Sequence, residues 1–166
     1  MRTDVSDAAL RRLAEQVGEA ARAHRHTLVT AESCTGGWIA KTITDIPGSS
    51  AWFECGMVAY GYEAKQALLA VRPQTLEQHG AVSRETVIEM VSGALVHSGA
   101  TLAVAVTGIA GPGGGTEEKP VGTVWLAWKR RGGYPTAVTF HFDGDREQVR
   151  RQTVAAALHG LLDLMA

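Results

Sequence analysis

The stretch Thr101-Leu-Ala-Val-Ala-Val106 decides the fold. It is a short apolar run with turn-forming residues on either side. Such a run predicts a β-strand that is buried on both faces, because a strand with one wet face would alternate apolar and polar residues. A strand of this kind belongs in the middle of a sheet that helices cover from both sides.

A glycine-rich segment, Thr107-Gly-Ile-Ala-Gly-Pro-Gly-Gly-Gly-Thr116, follows that strand directly. It predicts a long loop at a strand end, where α/β proteins bind ligands. The Gly-Lys-Ser/Thr ending of a P-loop is missing, and so is a G-x-G-x-x-G sequence before a helix. A phosphate cradle made of backbone N–H groups remains compatible with this loop.

Hydrophobic periodicity and turn residues predict the order α, β, α, β, α, α, β, β, β, α. The helices are expected near residues 4–23, 36–44, 63–71, 73–80, 84–98 and 143–165, and the strands near 27–29, 52–60, 101–106, 121–129 and 135–142. Ser83 is expected to cap the fifth helix, and the stretch Asp143-Gly-Asp-Arg146 is expected to cap the sixth. The fourth and fifth strands form an antiparallel hairpin, so the sheet is mixed. We therefore predict a three-layer α/β/α sandwich with a mixed sheet, and one domain over residues 1–166.

The composition limits the possible functions. The 166 residues carry a net charge of -1, which offers no electrostatic basis for binding nucleic acid or an anionic membrane. There is no run of about 18 apolar residues and no apolar core of a signal peptide near the N-terminus. The two cysteines, Cys34 and Cys55, have no metal-site spacing and are expected to be free thiols in a reducing compartment. A cytoplasmic enzyme or binding domain is the expectation.

The richest chemistry lies in the stretch Thr30-Ala-Glu-Ser-Cys-Thr-Gly-Gly37, which predicts a strand, a tight turn and a helix N-terminus. Such a junction offers free N–H groups and the positive end of a helix dipole. It also carries the hydroxyls of Ser33 and Thr35, while Gly36 allows a ligand close to the backbone. The stretch predicts a site for a reacting group or an anion. The alternative is a helix start that Thr35 or Ser33 caps.

Ser50, Tyr60 and Lys65 add a second hydroxyl, a phenol and an amine. No histidine neighbours these segments, and the loops supply no set of metal ligands. A hydrolase built from these parts would pair serine with lysine, whose amine becomes a base when desolvation lowers its pKa. Backbone N–H groups at the Ser33 or Gly108 turns could hold an oxyanion. Each residue also has a purely structural alternative: a loop serine, a packed tyrosine, a solvated lysine.

Several motifs, in one order, resemble the CinA C-terminal domain family over about residues 8–160. The matching stretches are Thr30-Ala-Glu-Ser-Cys-Thr-Gly-Gly37, Pro47-Gly-Ser-Ser-Ala-Trp-Phe53, Glu63-Ala-Lys65, Gly80-Ala-Val-Ser83, Thr107-Gly-Ile-Ala-Gly-Pro112 and Lys119-Pro-Val-Gly-Thr-Val124. The chain is similar to the stand-alone form of the family, because it leaves no room for the N-terminal domain of full-length CinA proteins.

The resemblance implies a nicotinamide-nucleotide amidase, which hydrolyses nicotinamide mononucleotide (NMN) to nicotinate mononucleotide and ammonia without metal or cofactor. It implies a homodimer or larger homo-oligomer. The implicated residues are Ser33, Ser50, Tyr60, Lys65, Thr107 and Arg146. Lys65 would deprotonate the attacking serine, directly or through Tyr60, and that serine is either Ser33 or Ser50. Glycine-loop N–H groups and Arg146 would hold the 5′-phosphate.

The predicted site thus has catalytic and substrate-binding members. The catalytic candidates are Ser33, Ser50, Tyr60 and Lys65, and the substrate-binding candidates are Thr35, Gly36, Thr107, Gly108, Gly111 and Arg146. The alternative function is a non-catalytic nucleotide- or partner-binding module of the CinA type, since such proteins also occur in DNA-competence contexts.

Overall fold

The computed structural model describes residues 2–166, so Met1 of the predicted domain lies outside the described residues. The helices are α1 (Asp7–Ala23), α2 (Trp38–Thr44), α3 (Tyr62–Leu69), α4 (Pro73–His79), α5 (Arg84–Val96) and α6 (Arg146–Met165). The strands are β1 (Leu28–Glu32), β2 (Phe53–Val58), β3 (Leu102–Gly108), β4 (Thr123–Arg130) and β5 (Thr136–His141). One 3₁₀ turn, Ser49–Ala51, precedes β2.

The five strands form one sheet in the order β2-β1-β3-β4-β5. Strand β1 pairs in parallel with both β2 and β3, whereas β3–β4 and β4–β5 are antiparallel. The sheet is therefore mixed, and the predicted hairpin is confirmed. Strand β3 lies in the centre, as the apolar run predicted, and its residues 102–106 are all 0 % exposed.

Side chains of β3 alternate between two separate cores. Leu102, Val104 and Val106 join one core with buried residues of α1, α2 and α6. Ala103 and Ala105 face the other, which α3, α4 and α5 complete. Helices thus cover both faces, and the predicted three-layer α/β/α sandwich with a mixed sheet is confirmed. Each layer removes apolar side chains from water, which stabilises the fold by roughly 25 cal/mol per Å² of apolar surface buried.

Local signals set several helix starts as the sequence indicated. The Ser83 hydroxyl accepts from the N–H of Thr86 at 3.2 Å and caps α5. Helix α6 begins with a full capping box, in which the side chains of Asp145 and Gln148 each accept from the other residue's N–H. These bonds satisfy N–H groups that have no partner within the helix.

The observed end of β1 and the observed start of α2 differ from the predicted ones, and these boundaries lie on either side of Ser33. Strand β1 continues to Glu32, beyond the expected end near residue 29, and α2 starts only at Trp38. The tertiary reason is pairing: Glu32 lies opposite Val58, and its carbonyl accepts from the N–H of Ala59 at 2.8 Å. A turn of residues 33–37 therefore separates strand from helix.

The sheet topology brings the predicted site residues to one edge. Strands β1, β2 and β3 are parallel, so their carboxyl ends at Glu32, Val58 and Gly108 lie at the same edge. The chain leaves β1 for β2 on one side and then crosses to β3 on the other, which makes the crevice between β1 and β3 a topological switch point. Among residues 2–166, no helix is both long and apolar enough to cross a membrane.

Candidate active site

A buried lysine and a buried serine are in contact at that edge. Ser33 directly follows β1, and Lys65 lies in the first turns of α3. The Lys65 Nζ lies 3.0 Å from the Ser33 Oγ, and the two residues are 1 % and 7 % exposed. Fold topology thus brings together two side chains that are 32 positions apart in sequence.

The other partners of Lys65 are main-chain carbonyls. Its Nζ lies 2.9 Å from the oxygens of both Ala59 and Tyr60. Within residues 2–166 it forms no ion pair. Burial without a compensating carboxylate lowers the pKa of Lys65 from its usual value, because desolvation disfavours the ammonium form.

The three contacts fit either protonation state of Lys65, because an ammonium can donate to all three oxygens and a neutral amine to two of them. A neutral amine has two N–H donors and one lone pair, and the three neighbours of Lys65 are two carbonyls and one hydroxyl. Both N–H groups can donate to the carbonyls of Ala59 and Tyr60, which accept only. The lone pair then faces Ser33, whose O–H can donate to it. That is the arrangement of a general base beside its nucleophile.

The α2 N-terminus is not a free anion site, because the carboxylate of Glu32 already occupies it. Its Oε1 accepts from the Ile39 N–H at 2.9 Å, and its Oε2 accepts from the Ala40 N–H at 3.0 Å. Glu32 is fully buried. The alternative that Ser33 or Thr35 caps α2 is wrong: the capping position is Gly37, in a left-handed conformation (φ 99°), and the carboxylate comes from the strand.

Thr35 and Gly36, predicted to bind substrate, are engaged inside the turn. The Thr35 hydroxyl donates to Glu32 Oε1 at 2.7 Å and is fully buried. The Gly36 N–H donates to the Ser33 carbonyl at 2.9 Å, and its φ of 61° explains why glycine is suited to this position. Both groups therefore shape the turn that carries Ser33.

Arg150 of α6 holds the same turn from the other side. Its guanidinium donates to the carbonyls of Cys34 and Thr35, both at 3.1 Å, and lies 5.1 Å from the ring centre of Trp38. Arg150 was not among the site residues predicted from the sequence. The only signal was its position among the arginines of the first two turns of α6, which gave no target. Glu32 and Arg150 together fix the turn around Ser33.

Cys34 is next to Ser33 but does not compete with it as a nucleophile. Its thiol is 6 % exposed, and burial raises its pKa to about 12. The thiolate is the nucleophilic form of cysteine. The end of β3 packs against this thiol: a Cβ at Gly108 would lie 3.2 Å from Cys34 Sγ and 2.7 Å from a methyl of Val124. Gly108 thus permits close packing beside the turn.

Thr107 also has an internal partner. Its hydroxyl donates to the Ala81 carbonyl at 2.8 Å, and the residue is 1 % exposed. This bond ties the end of β3 to the segment between α4 and α5. Lys119, from the loop after β3, donates to the carbonyl of His79 at 2.8 Å in the same region.

Arg146 connects two segments at the mouth of the site. Its guanidinium donates to the Gly111 carbonyl at 2.7 Å and to the Tyr60 hydroxyl at 3.1 Å. Tyr60 is 59 % exposed, and its main-chain oxygen accepts from Lys65. Its phenol therefore faces Arg146, while Lys65 contacts Ser33 directly. A proton relay through Tyr60 is not needed for that pair.

Ser50 lies at the opposite edge of the sheet. It belongs to the 3₁₀ turn before β2, whereas Tyr60 follows the end of β2. The neighbouring Trp52 carbonyl accepts from the N–H of Leu28, at the beginning of β1. The structure therefore does not bring Ser50 together with Tyr60 and Lys65 within the chain, because the length of β2 separates them. Ser33 is the serine that meets Lys65.

No three histidine, cysteine, aspartate or glutamate side chains of residues 2–166 are grouped as a metal site would require. Both cysteines are free thiols in the structure.

Comparison with known proteins places these features in context. Residues 10–165 match the family described as the CinA C-terminal domain. The nicotinamide-nucleotide amidohydrolase PncC of Escherichia coli K12 is 55 % identical over 157 residues, covering 95 % of each chain. The enzyme of the same name from Pseudomonas putida is 56 % identical over 152 residues, covering 92 % of this chain and 94 % of its own. The crystal structure of the competence/damage inducible protein CihA from Agrobacterium tumefaciens superposes with a TM-score of 0.93 at 44 % identity, covering both chains completely.

Proposed function

The chain belongs to the CinA C-terminal domain family, and we propose that it is a nicotinamide-nucleotide amidase that hydrolyses NMN with Ser33 as nucleophile and Lys65 as base. The single observation that carries the mechanism is the 3.0 Å contact between Ser33 Oγ and the buried amine of Lys65. The substrate follows from the names of the amidohydrolases that are 55–56 % identical over more than nine-tenths of the chain.

The reaction proceeds through an acyl-enzyme. Neutral Lys65 takes the proton of Ser33 as Oγ attacks the carboxamide carbon of NMN, and backbone N–H groups beside Ser33 hold the oxyanion. Lys65 then gives the proton to the departing nitrogen, so ammonia leaves. A water molecule, activated by the same amine, hydrolyses the ester and releases nicotinate mononucleotide. Pyridine-nucleotide salvage would use this product.

The substrate phosphate is assigned to the glycine-rich loop after β3 together with Arg146. The guanidinium lies against that loop at the Gly111 carbonyl, 2.7 Å away, and remains exposed toward the solvent side. Arginine binds phosphate oxygens through paired N–H groups. The α2 N-terminus cannot take this role, because the Glu32 carboxylate fills it.

The test is ammonia release from NMN by the wild-type chain and by Lys65→Met. We expect Lys65→Met to lose about 10²- to 10⁴-fold in kcat, the usual contribution of a positioned base. Lys41→Met is the matched control, because Lys41 is a surface lysine that pairs with Asp45. Full activity in Lys65→Met would contradict the assignment of the base. If NMN raises the melting temperature of the wild type but the protein releases no ammonia from NMN, the chain is a non-catalytic nucleotide-binding module instead.

A further inference from the structure

Lys65 is a buried amine that has no counter-charge. Its three contacts, Ser33 and the carbonyls of Ala59 and Tyr60, are uncharged, and it forms no ion pair within residues 2–166. A buried charge without a partner is costly. The protonation of Lys65 must therefore respond strongly to any charge that binds next to Ser33.

The charged groups on the surrounding elements are bonded to other partners or exposed, and Arg150 of α6 donates to the carbonyls of Cys34 and Thr35. From the β1–α2 turn, the Cys34 thiol is uncharged and the Glu32 carboxylate is bonded to the start of α2. The Tyr60 phenol is turned to Arg146. On α5, which packs against α3, Glu89 pairs with Arg72 at 2.7 Å. On α3 itself, Glu63 is exposed.

We propose that Lys65 couples the charge of the ligand to a proton: a carboxamide on a cationic ring displaces a proton from its amine, whereas the anionic product binds together with one. This inference rests on the proposed function, because it takes the pyridinium of NMN as the cation and the carboxylate of nicotinate mononucleotide as the anion. A cation bound beside Ser33 and a proton on Lys65 weaken each other's binding. A carboxylate bound there and a proton on Lys65 strengthen each other's binding.

Covalent geometry limits how far the ring charge can lie from the amine. The attacked carbon must come within about 3–3.5 Å of Ser33 Oγ, which is itself 3.0 Å from Lys65 Nζ. The ring nitrogen is only two ring bonds from the carbon that bears the carboxamide, so it falls on the order of 5–8 Å from Nζ. At that separation, and at an effective dielectric constant near 20, a cation weakens proton binding roughly a hundredfold.

Substrate and product therefore act on Lys65 in opposite directions. Bound NMN expels the proton to solvent, which leaves the neutral amine that can accept the proton of Ser33. After hydrolysis, the new carboxylate lies closer to Nζ than the ring nitrogen does, so attraction exceeds repulsion and a proton returns from solvent. A neutral ring, as in reduced dihydronicotinamide mononucleotide, gives neither effect.

The experiment measures the affinity of Ser33→Ala for three ligands from pH 7 to pH 10, by titration calorimetry. The ligands are NMN, nicotinate mononucleotide and dihydronicotinamide mononucleotide, which share the phosphate and ribose. We expect NMN to bind more tightly as pH rises, by up to about tenfold per pH unit, because one proton is displaced. Nicotinate mononucleotide should bind more weakly as pH rises, and the reduced ligand should lie between them.

The control is the double variant Ser33→Ala, Lys65→Met, in which the three pH dependences should become parallel. Parallel curves in Ser33→Ala itself would overturn the inference, and if the wild type still releases ammonia from NMN, the proposed function stands. Failure of NMN both to bind to Ser33→Ala and to be hydrolysed by the wild type would overturn both.

Discussion

Two serine-bearing turns lie at opposite edges of the same sheet, and they differ in the burial of the serine and in the contacts that hold the turn. The turn after β1 buries Ser33 against Lys65, with an internal carboxylate and a guanidinium holding the backbone. The turn before β2 leaves Ser50 exposed, and Arg22 donates a hydrogen bond to the Gly48 carbonyl of this turn. Both serines were candidate nucleophiles from the sequence, which offered the richer chemistry around Ser33.

In the proposed mechanism, the partner of a serine decides whether its hydroxyl can act as a nucleophile. A serine hydroxyl attacks only when a base can take its proton. In this fold the carboxyl ends of three parallel strands share one edge, so Ser33, Ala59 and the start of α3 meet there. Ser50 precedes β2 and therefore lies at the amino ends of these strands, away from Lys65.

The most direct test of the difference between the two turns is to remove each hydroxyl separately. We expect Ser33→Ala to reduce ammonia release from NMN by at least about 10³-fold, because the covalent step is lost. Ser50→Ala should stay within about twofold of the wild type. Equal losses in the two variants would show that Ser50 takes part, and a loss in Ser50→Ala alone would reverse the assignment.

The second prediction concerns the carboxylate behind the Ser33 turn. In Glu32→Gln, one of the two oxygens that accept from α2 becomes an NH₂ group and faces an N–H donor. We expect the free energy of unfolding to fall by about 1–3 kcal/mol and kcat to fall about tenfold as Ser33 loses its fixed position. Urea denaturation and ammonia release measure the two effects. Glu54→Gln, on an exposed position of β2, is the control and should change neither; an unchanged kcat in Glu32→Gln would contradict the positioning role.

A smaller effect is expected from the guanidinium on the other side of the turn. Arg150→Lys leaves the positive charge but cannot bridge the carbonyls of Cys34 and Thr35, so kcat should fall about three- to tenfold with little change in KM. Arg151→Lys is a matched control, because Arg151 lies at a similar 5.0 Å from Trp38 but bonds to Asp7 and Glu147. Similar losses in both variants would mean that packing on Trp38, and not the turn, is responsible.

The smallest effect belongs to the edge where Ser50 lies. His26 Nε2 receives a hydrogen bond from Arg130 at 3.1 Å, and Nδ1 donates to the Thr101 hydroxyl at 3.0 Å, so the ring is neutral. Burial, and then the positive charge of Arg130, lower the pKa of His26 from 6.5. The unfolded chain therefore binds this proton first, and the stabilisation, complete above pH 6.5, is lost as pH falls through the lower folded pKa.

That loss should be below about 1 kcal/mol, because the ring is partly exposed and solvent screens it. Urea denaturation from pH 5 to pH 8 measures it, with His26→Gln as the comparison. The wild type should lose stability more steeply than His26→Gln at the acidic end, whereas ammonia release corrected for unfolding should follow Lys65 and not His26. Identical pH slopes for the two proteins would contradict the assignment.

The fold was largely predictable because its signals are local. The apolar run at 101–106, the Ser83 cap and the acidic start of α6 each indicate one element through burial or capping, and all three are confirmed. The end of β1 was not predictable, because Glu32 is polar and joins the strand only through pairing with β2. Glu32 can be buried because its carboxylate accepts hydrogen bonds from two N–H groups of α2. That contact depends on the fold and cannot be read from a sequence pattern.

The sequence predicted which residues belong to the candidate site, but it did not predict which of them contact one another. Ser33, Lys65, Tyr60 and Arg146 were all singled out, whereas Thr35 and Thr107 carry hydroxyls that the structure uses internally. A hydroxyl looks the same in sequence whether it faces a ligand or a buried carboxylate. Arg150 went unassigned because its targets are main-chain carbonyls 115 and 116 positions away.

Local sequence patterns were enough to predict the three layers, the central strand, and a set of candidate residues with serine, lysine and a glycine-rich loop but no histidine. Periodicity, turn chemistry and residue type suffice for these, because they act over a few residues. Only the tertiary structure decided which serine meets the lysine and what fills the helix N-terminus. Those outcomes depend on strand direction and order, which bring distant residues together and bury the Lys65 amine without a counter-charge.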